Sequence, residues 1–292
     1  MKYLEKHPMI MIVIGILGIS LSAIFVKYSS APSVVTAACR LLWTVILMSP
    51  VVFFKKECRT ELFTTDRRTI ALCAVSGIFL ALHFILWFES LIHTSVASST
   101  TIVCTEVIWV ALGYCLFLRG KISRKAVLAI VITLAGSIMI ALSDSSSGGN
   151  NLYGDILALL AAIVVAGYTL IGRVARNTTS TTIYTYIVYT FCAATLVIIM
   201  MVQGHSLTGY GTSPIIVGLL LSVFSTILGH SIFSWCLKYL SPTFVSASKL
   251  CEPVVAAILA VFLFQEIPGP LQMFGGAVIL GGVIFYSRIE SN

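Results

Sequence analysis

Long apolar runs limit what this chain can become more than any other feature of its sequence. Ten can be marked, at about 9–28, 33–54, 69–89, 95–118, 125–143, 153–173, 181–202, 213–237, 242–264 and 270–287. Each is close to the roughly 20 residues that an α-helix needs to cross a bilayer. Only 10% of the 292 residues are charged, against about 25% in soluble domains, which is too few to coat a water-facing surface. In hydrocarbon a segment has to satisfy its own backbone, and the α-helix does so within one run. The chain is therefore expected to be an all-α integral membrane protein with ten transmembrane helices, multi-pass in the cell membrane. The lipid bilayer is its main solvent.

The net charge of +7 would suggest nucleic acid as a partner in a soluble protein. Here the positions of the charges explain it. Lys2, Lys6, Lys55, Lys56, Arg59, Arg67, Arg68, Arg119, Lys121, Arg124, Lys125, Arg173, Arg176, Lys238 and Arg288 fall in alternate connections or at the termini. The opposite connections hold only Lys27, at the end of the first run. An excess of Lys and Arg marks the cytoplasmic side, so both termini are expected there and no nucleic-acid partner is expected. The run after Lys2 and Lys6 has no small-residue cleavage pattern following it, so it is expected to stay as the first helix. Breaks fall at Pro32, at the Ser/Gly/Asn-rich 145–151, at Gly204, Gly209, Gly211 and Pro214, and at Pro268-Gly269-Pro270. The eight cysteines show no metal-ligand or redox spacing. They read as small apolar packers, and no metal or cofactor is expected.

The halves of the chain repeat each other. Residues Ser95 to Gly120 lie over Ser241 to Glu266 at an offset of 146 (252 − 106), which brings Glu106 onto Glu252 and Ala111 onto Ala257. The same offset matches Gly136 with Gly282, Trp87 with Phe233 and Phe84 with His230, without gaps from about 84 to 138. The repeats would be residues 1–146, with helices 1–5, and 151–292, with helices 6–10. Five is odd, so the second copy has to run with opposite orientation, the inverted repeat of many secondary transporters. Residues 84–138 and 230–284 are expected to superpose after rotation about an axis in the membrane plane.

Glu106 and Glu252 lie ten or eleven residues into their runs, about 15 Å deep at ~1.5 Å per residue. A charge at that depth costs about 2.5–3.5 kcal/mol on insertion scales, so it should face a cavity or a partner. Protonated interhelical glue is the alternative. Lys249 precedes Glu252 by three residues and shares its face. It could neutralise that carboxylate, or hold a substrate carboxylate, with Pro253 freeing the carbonyl of Lys249 itself. His83 and Trp87 form a stripe with Phe79 and Ser76 on the third helix. Trp109 follows Glu106, with Thr105, Thr101 and Ser98 continuing a polar stripe. Tyr168 on the sixth helix, and His230 with Ser234 on the eighth, complete the candidates, while Tyr184, Tyr186 and Tyr189 on the seventh cannot be ranked. Packing or interfacial anchoring is the competing account of each aromatic. Lys27 can snorkel to the headgroups. Arg40 is expected to pair with a carbonyl or carboxylate.

The chain resembles the EamA family of the drug/metabolite transporter superfamily over essentially its whole length. The resemblance rests on the paired blocks Thr94-Ser95-Val96-Ala97-Ser98-Ser99 and Ser241-Pro242-Thr243-Phe244-Val245-Ser246, on Glu252-Pro253, on Gln265-Glu266, and on Arg40 in Cys-Arg-Leu-Leu. It implies ten helices with both ends inside and transport of small metabolites by alternating access. One departure is Arg119-Gly120-Lys121, where members often have Gly-Glu, so no role for an acid carries over there. The reading is a secondary transporter, an exporter of amino acids or organic amines, not an enzyme. Its substrate is expected among the third, fourth, sixth, eighth and ninth helices, contacted by His83, Trp87, Glu106, Trp109, Tyr168, His230, Lys249 and Glu252. Protons are the candidate coupling ion. The alternatives are a passive facilitator or channel, and a membrane-embedded enzyme, for which no nucleophile–base pair or zinc-protease helix is found.

Overall fold

The computed structural model describes residues 8–94, 96–144, 152–255, 258–259 and 269–290. All the regular secondary structure among these residues is helical. In chain order the elements are α1 (Pro8–Lys27, with a turn at Leu21), α2 (Ser33–Phe54), α3 (Lys56–Thr64), α4 (Arg67–His93), α5 (Ser98–Phe117), α6 (Arg124–Asp144), α7 (Leu152–Ala175), α8 (Thr181–Val202), α9 (Ser213–Cys236), α10 (Pro242–Ser248) and α11 (Pro270–Glu290). The ten apolar runs correspond in order to α1, α2 and α4–α11. The additional α3 is a nine-residue polar helix with no buried residue. Eight helices, α1, α2, α4, α5, α7, α8, α9 and α11, are long and apolar enough to cross a membrane among the described residues. The run expected at 242–264 begins as α10, and its residues 256–257 and 260–264 lie outside the described residues, as do Lys2, Lys6, Ser95, the 145–151 linker and Gln265-Glu266.

Helix ends follow local chemistry. Asp66 caps α4 by accepting the Thr69 N–H at 3.1 Å, Ser180 caps α8 through Ile183 N at 3.3 Å, and Ser241 caps α10 through Phe244 N at 3.2 Å. Each satisfies a donor that the first turn leaves free. After α5 the Gly120 N–H reaches back to the Tyr114 carbonyl at 2.9 Å, with Arg119 in the left-handed region at φ 51. The helix thus stops at a left-handed residue, arginine where glycine is usual.

The described connections alternate between two ends. At one, Cys236 Sγ meets the Pro8 carbonyl at 3.9 Å, Ser180 N–H donates to Glu61 at 2.6 Å, and the Ser241 hydroxyl donates to Glu290 at 2.7 Å. Arg173 and Arg176 serve as C-terminal caps there: the guanidinium of Arg173 donates to the Leu237 and Leu240 carbonyls, and Arg176 Nε to Ser234 O at 3.1 Å. At the other end Ser213 donates to the Tyr28 carbonyl, Ser30 to the Tyr210 carbonyl, and Thr94 to Asp155 at 2.8 Å. All the described basic residues except Lys27, Arg40 and Lys249 lie at or next to the first end.

Helices pack antiparallel in four pairs. In α1 with α9, Phe25 meets Phe224 and Pro8 meets Cys236. In α4 with α7, His83 meets Ala161 and Thr94 meets Asp155. α2 packs on α8 through Ser49 and Tyr186. In α6 with α11, the backbones nearly touch: a Cβ on Gly282 would sit 2.3 Å from Thr133 Oγ1, and one on Gly275 2.8 Å from the Gly136 carbonyl. Small residues permit that approach where no hydrophobic force drives helices together. The outer surface is apolar as well. On α1, Ile10, Val13, Ile14 and Leu17 are exposed while Ile12, Ile16 and Ile19 are buried, the pattern of a helix whose outer solvent is lipid.

Candidate functional site

Between the paired helices lies a cleft of about 480 Å³ of free space, part of it continuous with solvent. Its polar lining comes from His83 and Trp87 on α4, Glu106 on α5, His230 on α9, and Lys249 and Glu252 at and after the end of α10. These are six of the eight residues expected from sequence. The other two stand elsewhere. Tyr168 sits behind His230, its ring 6.1 Å away and its hydroxyl 2.9 Å from Ser234 Oγ, so it braces the wall. Trp109 is not among the lining residues, and its buried Nε1 has no partner among the described residues. Sequence reasoning missed α1, which brings Ile19 and Ser22 into the cleft, because that helix carries no charge at this depth.

Both carboxylate-bearing helices change their winding just before the carboxylate. In α5 the chain tightens at Thr105, whose N–H donates to the Ile102 carbonyl at 3.0 Å and whose own carbonyl accepts from Ile108 at 2.9 Å; regular winding resumes at Glu106. After α10, Lys249–Cys251 form a turn of 3₁₀-helix before Glu252. The second change has a direct cause. Pro253 has no N–H to give the Lys249 carbonyl, which accepts instead from the Glu252 N–H and contacts Cys104 Sγ at 3.9 Å.

The charges are not joined as a pair within one helix, which is one of the two readings the sequence leaves open for Lys249. Lys249 Nζ lies 2.8 Å from Glu106 Oε1, with side-chain exposures of 10% and 4%. The ion pair crosses from one half of the sequence to the other. Packing of α10 on α5 brings Glu106 within reach of the lysine stem, so three-residue spacing did not decide the partner. The ammonium also lies 5.4 Å from the Phe233 ring centroid, within cation–π range. Glu252, partly buried, makes no hydrogen bond or ion pair among the described residues.

The aromatic wall is ordered. His83 stacks on Trp87 at 6.1 Å with 11° between planes, and its Nδ1 lies 3.1 Å from the Ala161 carbonyl. A carbonyl can only accept, so the Nδ1 carries a proton. His230 stands 6.5 Å from His83, at the end of a π-helical stretch of α9, Leu221–His230. Such wide turns recur at functional sites. Arg40 is fully buried behind this wall. Its partners are hydroxyls and a ring, not the carbonyl or carboxylate expected: Nε donates to Thr226 Oγ1 at 2.7 Å, Nη1 to Ser22 Oγ at 3.3 Å, and the guanidinium carbon lies 4.1 Å from the Phe84 centroid.

Comparison with known proteins agrees with this architecture. The EamA-like transporter family matches the chain twice, at residues 7–142 and 152–288. The pseudopaline exporter CntI of Pseudomonas aeruginosa is 26% identical over 270 residues, covering 88% of this chain and 92% of that protein. An uncharacterised transporter of Clostridium kluyveri is 23% identical over 253 residues, 85% and 81% of the two chains. A protein of Streptantibioticus cattleyicolor described as a probable terminal-alkyne amino-acid exporter is 23% identical over 230 residues, 76% and 74%. A crystal structure superposes with TM-score 0.78 over 98% of each chain at 14% identity, which speaks to the fold. A polar cleft inside an apolar helical bundle, and a family match spanning both halves, lead to one conclusion: the chain belongs to the EamA-like transporter family, whose named relatives here are transporters and exporters.

Proposed function

We propose that the protein is a secondary exporter of small metabolites, amino acids or organic amines, that binds its cargo in the central cleft and works by alternating access. One observation carries the reading: the Glu106–Lys249 ion pair, closed across the two sequence halves and set in the wall of the cleft. An ionic contact across moving halves can open and re-form, and it places both charge signs beside Glu252, which has no ionic partner among the described residues. His83, Trp87 and His230 supply the aromatic wall, and Tyr168 and Trp109 complete the proposed set from outside the lining. A proton on Glu252 is the proposed coupling ion.

The proposal includes two inverted repeats, 1–146 and 151–292, with both termini cytoplasmic. The basic end of the bundle supports that orientation. The contact of α6 with α11 supports the inversion. The offset of 146 exchanges Gly136 with Gly282 and Thr133 with Ile279. A Cβ on Gly136 would meet Ile279 Cγ1 at 2.8 Å, and one on Gly282 would meet Thr133 Oγ1 at 2.3 Å. Such reciprocal contacts are what a twofold axis produces.

Purified protein in proteoliposomes loaded with single amino acids or amines tests the function. Saturable uptake of labelled cargo, accelerated by the same unlabelled compound on the far side, is the expected result. Flux that never saturates and shows no counterflow indicates a channel and refutes alternating access.

A further inference from the structure

The two matched carboxylates are unequal. Lys249 neutralises Glu106 at 2.8 Å, while Glu252 has no hydrogen-bond or ionic partner among the described residues. The offset between the halves accounts for the difference. It takes Glu252 back to Glu106 and Lys249 back to Val103 (249 − 103 = 146). Lysine at both positions would allow two reciprocal pairs, Lys249 on Glu106 and residue 103 on Glu252. Position 103 is valine, and it lines the same cleft as Glu252. The second pair thus keeps its carboxylate and lacks its cation.

We propose that Glu252, opposite Val103, is an ammonium subsite, and that the cargo's primary or secondary amine takes the place of the lysine that position 103 does not carry. Val103 is then a specificity-determining position. A partly buried carboxylate with no ionic partner among the described residues is incompletely solvated, and a cation from the cargo offsets that cost only while bound. An anionic cargo is disfavoured, because the single ammonium in the lining is already engaged by Glu106. Trp87 and His83 face the same space and give the bound amine aromatic surface. The subsite rests on the reading of the cleft as the cargo site and of the halves as repeats.

Dicyclohexylcarbodiimide, which adds to protonated carboxyl groups in apolar surroundings to leave an N-acylurea, reads the two glutamates apart by peptide mass spectrometry. In purified wild-type protein Glu252 should be modified and Glu106 spared. 2-Phenylethylamine, putrescine or L-phenylalanine amide should slow Glu252 modification at least tenfold for one or more of them, and their N-acetylated counterparts should not. V103K should protect Glu252 with no amine added. Equal modification of both glutamates, equal protection by acetylated compounds, or no protection by any of the three amines overturns the subsite. So does a V103K protein that elutes as a folded monodisperse species yet keeps a reactive Glu252. If V103K does not fold, the wild-type comparison decides alone. Counterflow without amine protection sinks the subsite and leaves the transporter reading standing. Amine protection without counterflow of any compound does the reverse.

Discussion

Lys249→Met takes away the ammonium 2.8 Å from Glu106 and leaves a carboxylate only 4% exposed. At an effective dielectric constant of ~20, two unit charges at that distance attract by about 6 kcal/mol. Desolvation of both groups offsets part of this, and breaking one side of such a pair costs about 3–5 kcal/mol. Lys249→Met and Glu106→Gln should each lower the unfolding free energy by about 4 kcal/mol. The double variant, which removes both charges of the pair, should return to within about 1 kcal/mol of wild type, a coupling of about 7 kcal/mol. Denaturant titration in mild detergent, followed by tryptophan fluorescence, measures all four proteins. The pairing of Lys249 with Glu252 that three-residue spacing suggests makes the opposite forecast, in which Glu252→Gln rescues Lys249→Met. Rescue by Glu252→Gln in place of Glu106→Gln, or a Lys249–Glu106 coupling below about 1 kcal/mol, would refute the ion-pair argument.

Glu252→Gln keeps the volume and removes the free carboxylate, so transport should fall at least tenfold, about 1.4 kcal/mol, with the protein still folded; normal transport at every accessible pH would make Glu252 structural. Arg119 occupies φ 51, a conformation costing a non-glycine residue roughly 1–2 kcal/mol, so Arg119→Gly should raise thermal stability by about 1 kcal/mol, and a loss would mean that the arginine side chain has a partner of its own. The hydrogen bonds from Thr69 hold the Asp66 carboxyl below the usual carboxylate range. A depressed folded value means that the cap contributes above the unfolded pKa and fades as pH falls through the folded one. The stability gap between wild type and Asp66→Ala should therefore close below about pH 4, and a gap independent of pH would contradict it. Cys58, on α3 at the basic end, should react with an impermeant maleimide from the cytoplasmic side alone; labelling from outside would reverse the orientation.

The fold was largely legible because lipid imposes a simple code. The runs marked at 33–54 and 181–202 coincide with α2 and α8. α4 extends past the marked 69–89 at both ends, since hydropathy stops at Arg67, Arg68 and Glu89 whereas the helix stops at its caps. α3 went unmarked because a nine-residue, mostly polar helix carries no spanning hydropathy signal. Depth in the bilayer picked out Glu106 and Glu252, and shared helix faces picked out His83, Trp87 and His230, all of them in the cleft. The partner of Lys249 was not legible, because helix spacing reports neighbours on one rod and the nearest carboxylate stood on another. The π-helical stretch of α9 escaped for a similar reason. Its residues are ordinary apolar and hydroxyl side chains, and the wide turn is held by contacts from elsewhere, such as Arg40 on Thr226 and Tyr189 on Ser231.

An i→i+5 turn stores more residues per length of helix than an i→i+4 turn. Within it, Thr226 Oγ1 reaches the Leu221 carbonyl and Ser231 Oγ the Thr226 carbonyl, each five residues back at 3.2 Å. Rewinding the stretch between Thr226 and His230 to ordinary i→i+4 winding, with no residue removed, would turn everything beyond by about 100°. Thr226 would keep its place under Arg40 while His230 swung off the cleft wall. In α9, then, the winding between two contacts is constrained along with their identity. Loss of a contact that holds the wide turn is a change of the binding surface, although no residue that touches the cleft has been altered.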